Sequence, residues 1–280
     1  MSIRVALKFM LISTVAFACM NVTVKYLEHI SAYQIVFFRS FGSLFFTFGF
    51  LLRNKIPILG THRKLLVFRG LAGVTAMTLF FMSIKYLPVG TAVSLRYLSP
   101  IFAALFAMLL LKEKVRPLQW LFFAIAFAGV LIMKGLDAQL NSLGMLLILI
   151  ASVFSGLVYI IINKIGKREH PVVIVNYFMV IATITGGLLS INTWVNPVGI
   201  QWLLLFSLGI YGYIGQVYMT KAFQATKISQ VAPLKYVEVI FTVALGVLLV
   251  DEVYSIWSLL GIVLIIVGLL LNSRYATVKN

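Results

Sequence analysis

The sequence predicts an all-α integral membrane protein of ten transmembrane helices, built as two inverted five-helix repeats. Three observations carry this. Of its 280 residues, 62% are hydrophobic and 11% charged, with a mean hydropathy of +1.06; a soluble domain is about a quarter charged. Lysine and arginine gather at alternate ends of the apolar runs. The chain also matches itself, without a gap, when displaced by 139 residues.

The spans follow from the apolar runs between charges and Pro/Gly breaks. The first, 5–26, starts after Arg4 and ends before Glu28. The second, 32–52, ends at Arg53, ahead of a loop with Pro57 and Gly60. The third, 65–85, runs from Arg63-Lys64 to Lys85. The fourth, 91–111, lies between Pro88 and Lys112. The fifth, 117–134, opens at Pro117 and closes at Lys134-Gly135. The sixth, 142–163, stops at Lys164. The seventh, 172–191, follows Pro171, and the eighth, 201–220, runs from Gly199 to Lys221. The ninth, 229–250, ends at Asp251, and the tenth, 255–272, ends before Arg274. Each is near the ~20 residues that one crossing needs. Together they use most of the chain and leave only short loops. Runs such as Ile101–Leu111 and Ile262–Leu271 do not alternate, which excludes a membrane barrel. The first helix has the outline of a signal peptide, with Arg4, Lys8 and Ala16-Phe17-Ala18. It is long enough to span and has a repeat partner, so it is expected to stay.

With the N-terminus inside, 17 of the 23 lysines and arginines fall on the cytoplasmic side. They include Arg53, Lys55, Arg63, Lys64, Arg69, Lys112, Arg116, Lys167 and Lys221. Only Lys25, Lys85 and Lys134 lie outside. That is the positive-inside bias that orients helices. It puts both termini in the cytoplasm, in the cell (inner) membrane. The net charge of +16 is thus a topology signal, not a nucleic-acid footprint.

In the 139-residue register Ser13 meets Ser152, Lys25 meets Lys164, and Gly73 meets Gly212. Arg96-Tyr97 meets Lys235-Tyr236, Glu113 meets Glu252, and Gly129 meets Gly268. The units are 1–138 and 139–280. Five spans is an odd number, so the second unit enters from the opposite face. Inverted repeats can pack in two near-equivalent ways, one open to each side, with solute held at their interface.

The pattern resembles the drug/metabolite transporter superfamily, EamA type. The resemblance rests on Leu109-Leu110-Leu111-Lys112-Glu113 and Leu248-Leu249-Val250-Asp251-Glu252, on Pro100 and Pro233, and on Gly129, Gly261 and Gly268. It implies a secondary transporter, an exporter or exchanger, working by alternating access. Through Arg96–Pro100 the chain looks most like carriers of amino acids, carboxylates and S-adenosylmethionine-like solutes. Partners are then the bilayer, a small solute, and protons or a counter-solute.

The intramembrane charges are the candidate contacts, because each costs at least ~2.5–3.5 kcal/mol unless it faces a cavity, a partner or the interface. Arg96 and Lys235 are repeat mates, each followed by a tyrosine, Tyr97 and Tyr236. Arginine would offer a carboxylate or phosphate a bidentate fork, lysine a point charge; snorkelling is the alternative for Arg96. Glu238 lies three residues after Lys235, on the same helical face. It reads as the ion-pair partner of Lys235, or as a carboxyl that binds a substrate amine or carries a coupling proton. Arg39, opposite Phe178 in the repeat, pairs with Glu238 or faces the cavity. Tyr213 and Gln216 share one face of the eighth helix and complete the set. Asn21, Tyr159, Asn163 and Tyr211 are further polar candidates. Gly209, Gly212 and Gly215 read as close helix packing, Pro100 and Pro233 as bends, and the four tryptophans as interface anchors. His29, His62 and His170 lack ligand spacing, so no metal is expected. Nor is any cofactor or ATP site, since no phosphate-binding glycine loop occurs. A membrane enzyme, a channel and a non-transporting scaffold are the competing readings.

Overall fold

The computed structural model describes residues 3–111, 117–136, 140–225 and 235–278. Helices α1 (Ile3–Tyr26), α2 (Ala32–Arg53) and α3 (Arg63–Ile84) lead to two short helices, α4 (Val89–Arg96) and α5 (Ser99–Leu111). Then come α6 (Pro117–Leu136), α7 (Ser142–Ile165), α8 (Pro171–Ser190), α9 (Ile200–Ala225), α10 (Val237–Val250) and α11 (Ile256–Val278). Among the described residues nine segments are long and apolar enough to cross a membrane, with α4 and α5 forming one of them. The described part of α10 is shorter. Residues 229–234 of the expected ninth span, Pro233 and Glu113 lie outside the described residues.

The bundle is interlocked: helices pack mainly against the other repeat. Span 1 (α1) packs on span 8 (α9), and its symmetry equivalent, span 6 (α7), packs on span 3 (α3). Span 2 packs on span 7, and span 5 on span 10, each pair equivalent to itself. Span 4 meets span 6 through α5 and α7, as span 9 meets span 1 through α10 and α1. This is the contact pattern of a two-fold axis in the membrane plane.

Small residues permit the close crossings. A Cβ on Gly209 of α9 would sit 2.7 Å from the Gly42 Cα of α2, and one on Gly129 of α6 would sit 2.6 Å from the Gly261 carbonyl oxygen of α11. The Ser43 hydroxyl donates to the Gly209 carbonyl at 2.9 Å, and that of Ser13 to the Gly215 carbonyl at 2.8 Å. Large apolar side chains such as Leu109, Leu131, Leu203 and Leu248 point outward, which suits a hydrocarbon surround. Trp120, Trp194, Trp202 and Trp257 are half-exposed near helix ends.

The two ends of the bundle carry different clamps. At the end opposite the N-terminus, Gln34 donates to the Val195 carbonyl and accepts its N–H, at 2.9 and 3.0 Å. Lys25 donates to the Ile84 carbonyl at 3.2 Å. At the N-terminal end, buried Glu169 accepts from the Thr61 N–H and hydroxyl, both at 2.7 Å, and from the His62 N–H. Burial alone would raise the Glu169 carboxyl; these bonds outweigh it and hold it below its usual 4.5.

Candidate substrate site

The fourth span breaks where the charge sits. Pro100 has no N–H, so the Arg96 carbonyl loses its i+4 donor. The chain turns at Tyr97-Leu98 and restarts as α5. The expected continuous helix over 91–111 is therefore two. Arg96 ends α4, where the negative end of the helix dipole suits a cation. The other end of α4 is held by the second repeat's motif: the Val89 N–H donates to both Glu252 carboxylate oxygens, at 2.8 and 3.1 Å. The Gly90 N–H donates to the Tyr254 hydroxyl at 3.0 Å, which itself donates to Glu252. A carboxylate on a helix N-terminus is the favourable sign. Burial still leaves the Glu252 carboxyl above its usual value, despite the Tyr254 and Val89 bonds that lower it.

Arg96 of the first repeat joins Glu238 of the second. Its Nη2 donates to Glu238 Oε1 at 2.7 Å, and its guanidinium carbon lies 4.0 Å from the Phe80 ring centre. Asn21 donates to the same carboxylate oxygen at 2.9 Å, and the Tyr97 hydroxyl to the other at 2.6 Å. Glu238 is fully buried. The anticipated ion pair with Lys235 is thus replaced by one with Arg96. The reason is tertiary: packing of the repeats brings Arg96, Tyr97 and Asn21 onto the carboxylate, while Lys235 lies in the 3-10 turn ahead of α10. Lys235 donates to the Tyr159 hydroxyl at 3.5 Å and stands near the Tyr97 and Tyr159 rings, 5.6 and 5.7 Å from their centres. The repeat mates Tyr97 and Tyr236 meet edge to face, 5.3 Å apart.

A central cavity of about 130 Å³ collects these groups. Arg39, Arg96, Lys235, Glu238 and Gln216 line it, as do Arg69, Tyr159, Phe80 and Phe178. Tyr97 and Tyr236 stand behind this lining. Tyr213 is elsewhere, stacked on Phe46 with ring centres 5.0 Å apart. Arg39, 2% exposed, donates to the sulfurs of Met20 and Met77, at 3.2 and 2.8 Å. It faces the cavity without bonding Glu238. The buried Gln216 Oε1 has no hydrogen-bond partner. Met219 and Ile162 also line the cavity; they lie near the ends of α9 and α7 that share a face with the N-terminus. The lining therefore extends from Arg96 toward that face, and the Glu252 and Gln34 clamps lie at the other end of the bundle.

Arg69 is the residue that sequence reasoning misplaced. It stands six residues into α3, roughly 9 Å deep at 1.5 Å per residue, and was expected among the cytoplasmic flanking charges. Instead it is 4% exposed, with its guanidinium carbon 4.4 Å from the Phe178 ring centre. The available signal was its register with Gly73, Met77 and Phe80, the i+4, i+8 and i+11 positions of the face that lines the cavity. Asn21 and Tyr159, weighed as secondary polar candidates, hold Glu238 and Lys235. The Asn163 side chain lies outside what is described.

The EamA-like transporter family model matches the chain twice, at residues 4–134 and 142–274. The chain belongs to the EamA-like transporter family. It is 29% identical to the pseudopaline exporter CntI of Pseudomonas aeruginosa over 94% of both chains. It is 25% identical to an S-adenosylmethionine uptake transporter of Rickettsia bellii, over 94% of this chain and 91% of that one. Human solute carrier family 35 member G1 is also 25% identical, over 97% of this chain and 80% of its own. One solved crystal structure superposes with a TM-score of 0.68 at 18% identity, covering 97% of this chain and 96% of that one; it shows the fold alone. Two matches of one family model fit the two-fold contact pattern, and the relatives place the chain among secondary transporters of small solutes.

Proposed function

We propose that this EamA-like protein exports or exchanges a small polar metabolite by alternating access, with the Arg96–Glu238 cavity as its solute site. One observation carries the reading: an ion pair between the two repeats, 2.7 Å long, lies in a cavity lined by both. A contact across the axis of an inverted repeat is where rocking of one half against the other changes exposure. The charge bias supports a cytoplasmic N-terminal face, and on that reading the described conformation is inward-facing. The named relatives move solute in opposite directions, export and uptake. One cavity serves either, because net direction follows the gradients and not the site.

The test is accessibility coupled to flux. In a Cys19→Ser background, Gln216→Cys should react with an impermeant maleimide from the cytoplasmic side. A Gln34→Cys/Val195→Cys disulfide across the outer clamp should block counterflow of the solutes that bind, with recovery on reduction. Reaction of Gln216→Cys from the outside only, or full flux in the cross-linked protein, contradicts the reading.

A further inference from the structure

The solute class follows from Arg39 and Arg69, two cavity cations that the Arg96–Glu238 pair does not answer. Among the described cavity-lining residues are four cationic side chains, Arg39, Arg69, Arg96 and Lys235, and one carboxylate, Glu238. Arg96 already answers Glu238, and Asn21 and Tyr97 take two more of the carboxylate's acceptor positions. The carboxylate is thus committed to the scaffold.

Arg39 and Arg69 stand differently. Both are buried, at 2% and 4% exposure. Two thioether sulfurs accept from Arg39; sulfur is a weak acceptor. The Arg69 Nε and Nη1 are buried without a hydrogen-bond partner among the described residues. Both guanidiniums lie beside Phe178, with carbons 5.7 and 4.4 Å from its ring centre, so they lie within about 10 Å of each other. A ring face offsets part of a cation's desolvation, but among the described residues neither guanidinium has an ion-pair partner. Two planar forks with open donors, aimed into one cavity, are a site for carboxylate or phosphate oxygens.

We infer that the transported solute carries two negative charges, as two carboxylates or as one phosphate monoester, and that Arg39 and Arg69, both beside Phe178, receive them. This rests on the transporter reading above and narrows it. A cationic or neutral solute would leave both guanidiniums uncompensated within the membrane. An acidic solute neutralises them while bound, so the loaded carrier crosses between its two states with less buried charge than the empty one. That favours exchange over unloaded return.

The test uses the full-length protein in nanodiscs, with thermal unfolding followed at fixed ionic strength. Succinate, glutarate and glycerol 3-phosphate are the dianionic probes; acetate, putrescine and S-adenosylmethionine are the comparisons. Binding to the folded state raises the unfolding temperature as RT ln(1 + [L]/Kd). A dianion should give a saturable rise that the other probes do not, and the two carboxylate probes against the phosphate probe identify the acidic group. Arg69→Gln and Arg39→Gln should each weaken that dianion at least tenfold. Arg69→Lys and Arg39→Lys, which keep the charge and lose the fork, should weaken it less; they decide the matter if a glutamine variant fails to fold. No dianion exceeding acetate, an equal response in the arginine variants, or a larger response to S-adenosylmethionine overturns the inference. Cysteine accessibility at Gln216→Cys needs no solute, so alternating access stands or falls separately.

Discussion

Glu238→Gln is the sharpest perturbation, because it asks which cation the carboxylate serves. The glutamine keeps an oxygen for the Asn21 amide and a group that can meet the Tyr97 hydroxyl. What it removes is the countercharge of Arg96, 2.7 Å away. Stripping one member from a sealed ion pair costs about 3–5 kcal/mol. Here the remaining cation is not sealed: its side chain is 21% exposed to the cavity, and the Phe80 ring lies 4.0 Å from it. A cation over a ring retains about 1–2 kcal/mol of compensation, so the expected net cost is about 2–3 kcal/mol. At about 2–4 °C per kcal/mol for a chain of this size, that is a fall of roughly 5–10 °C in Tm of the purified protein. The decisive arm is the second substitution. Glu238→Gln with Arg96→Met removes both charges and should recover most of the loss, while Glu238→Gln with Lys235→Met should not. Coupling of this kind is strongest between groups in direct contact. Recovery with Lys235→Met but not with Arg96→Met would refute the assignment and restore the helical i,i+3 pair.

The other predictions are more local. Tyr97→Phe removes a 2.6 Å bond to a buried carboxylate, worth about 1.5–3 kcal/mol; the melting curve should shift down by several degrees. Gly209→Val would drive side-chain carbon into the Gly42 backbone, where even a Cβ is only 2.7 Å from the Cα. Detergent-solubilised protein should then be lost from the monodisperse chromatographic peak, whereas substitution of exposed Leu203 by alanine should leave it in place. Glu169 makes its bonds to Thr61 and His62 as a carboxylate with a depressed pKa. Its contribution is present above pH 4.5 and is lost as pH falls through the lower folded value. The Tm gap between wild type and Glu169→Gln should therefore be constant near neutrality and close on acidification; a gap independent of pH would contradict this. In a Cys19→Ser background, cysteines at Asn196 and Asp251 should label from outside intact cells and one at Arg63 should not; the reverse pattern would invert the topology. Arg96→Ala and Lys235→Ala should each lose most solute counterflow at normal membrane abundance, and normal flux in both would return them to a structural role.

The number of spans, the two-repeat plan and the family follow from the residues alone. Each rests on a one-dimensional quantity: apolar run length against bilayer thickness, the alternation of lysine and arginine between ends, and the gapless register that aligns Arg96-Tyr97 with Lys235-Tyr236. The same register marked Arg96 and Lys235 as intramembrane cations, and Pro100 as a bend beside one of them. What remained hidden was which groups meet. Local spacing offers Lys235 as the nearest partner of Glu238, but packing of the repeats delivers Arg96, Tyr97 and Asn21 from more than a hundred residues away. Tyr213 and Gln216 share a helical face by spacing, yet helix tilt and rotation put one against Phe46 and the other in the cavity. Arg69 read as a flanking charge because sequence places a residue along the membrane normal but not around the helix axis. Only the contacts of α3 with α7 and α8 turn it inward to Phe178. Depth is written in the order of residues; azimuth and partner are set by packing.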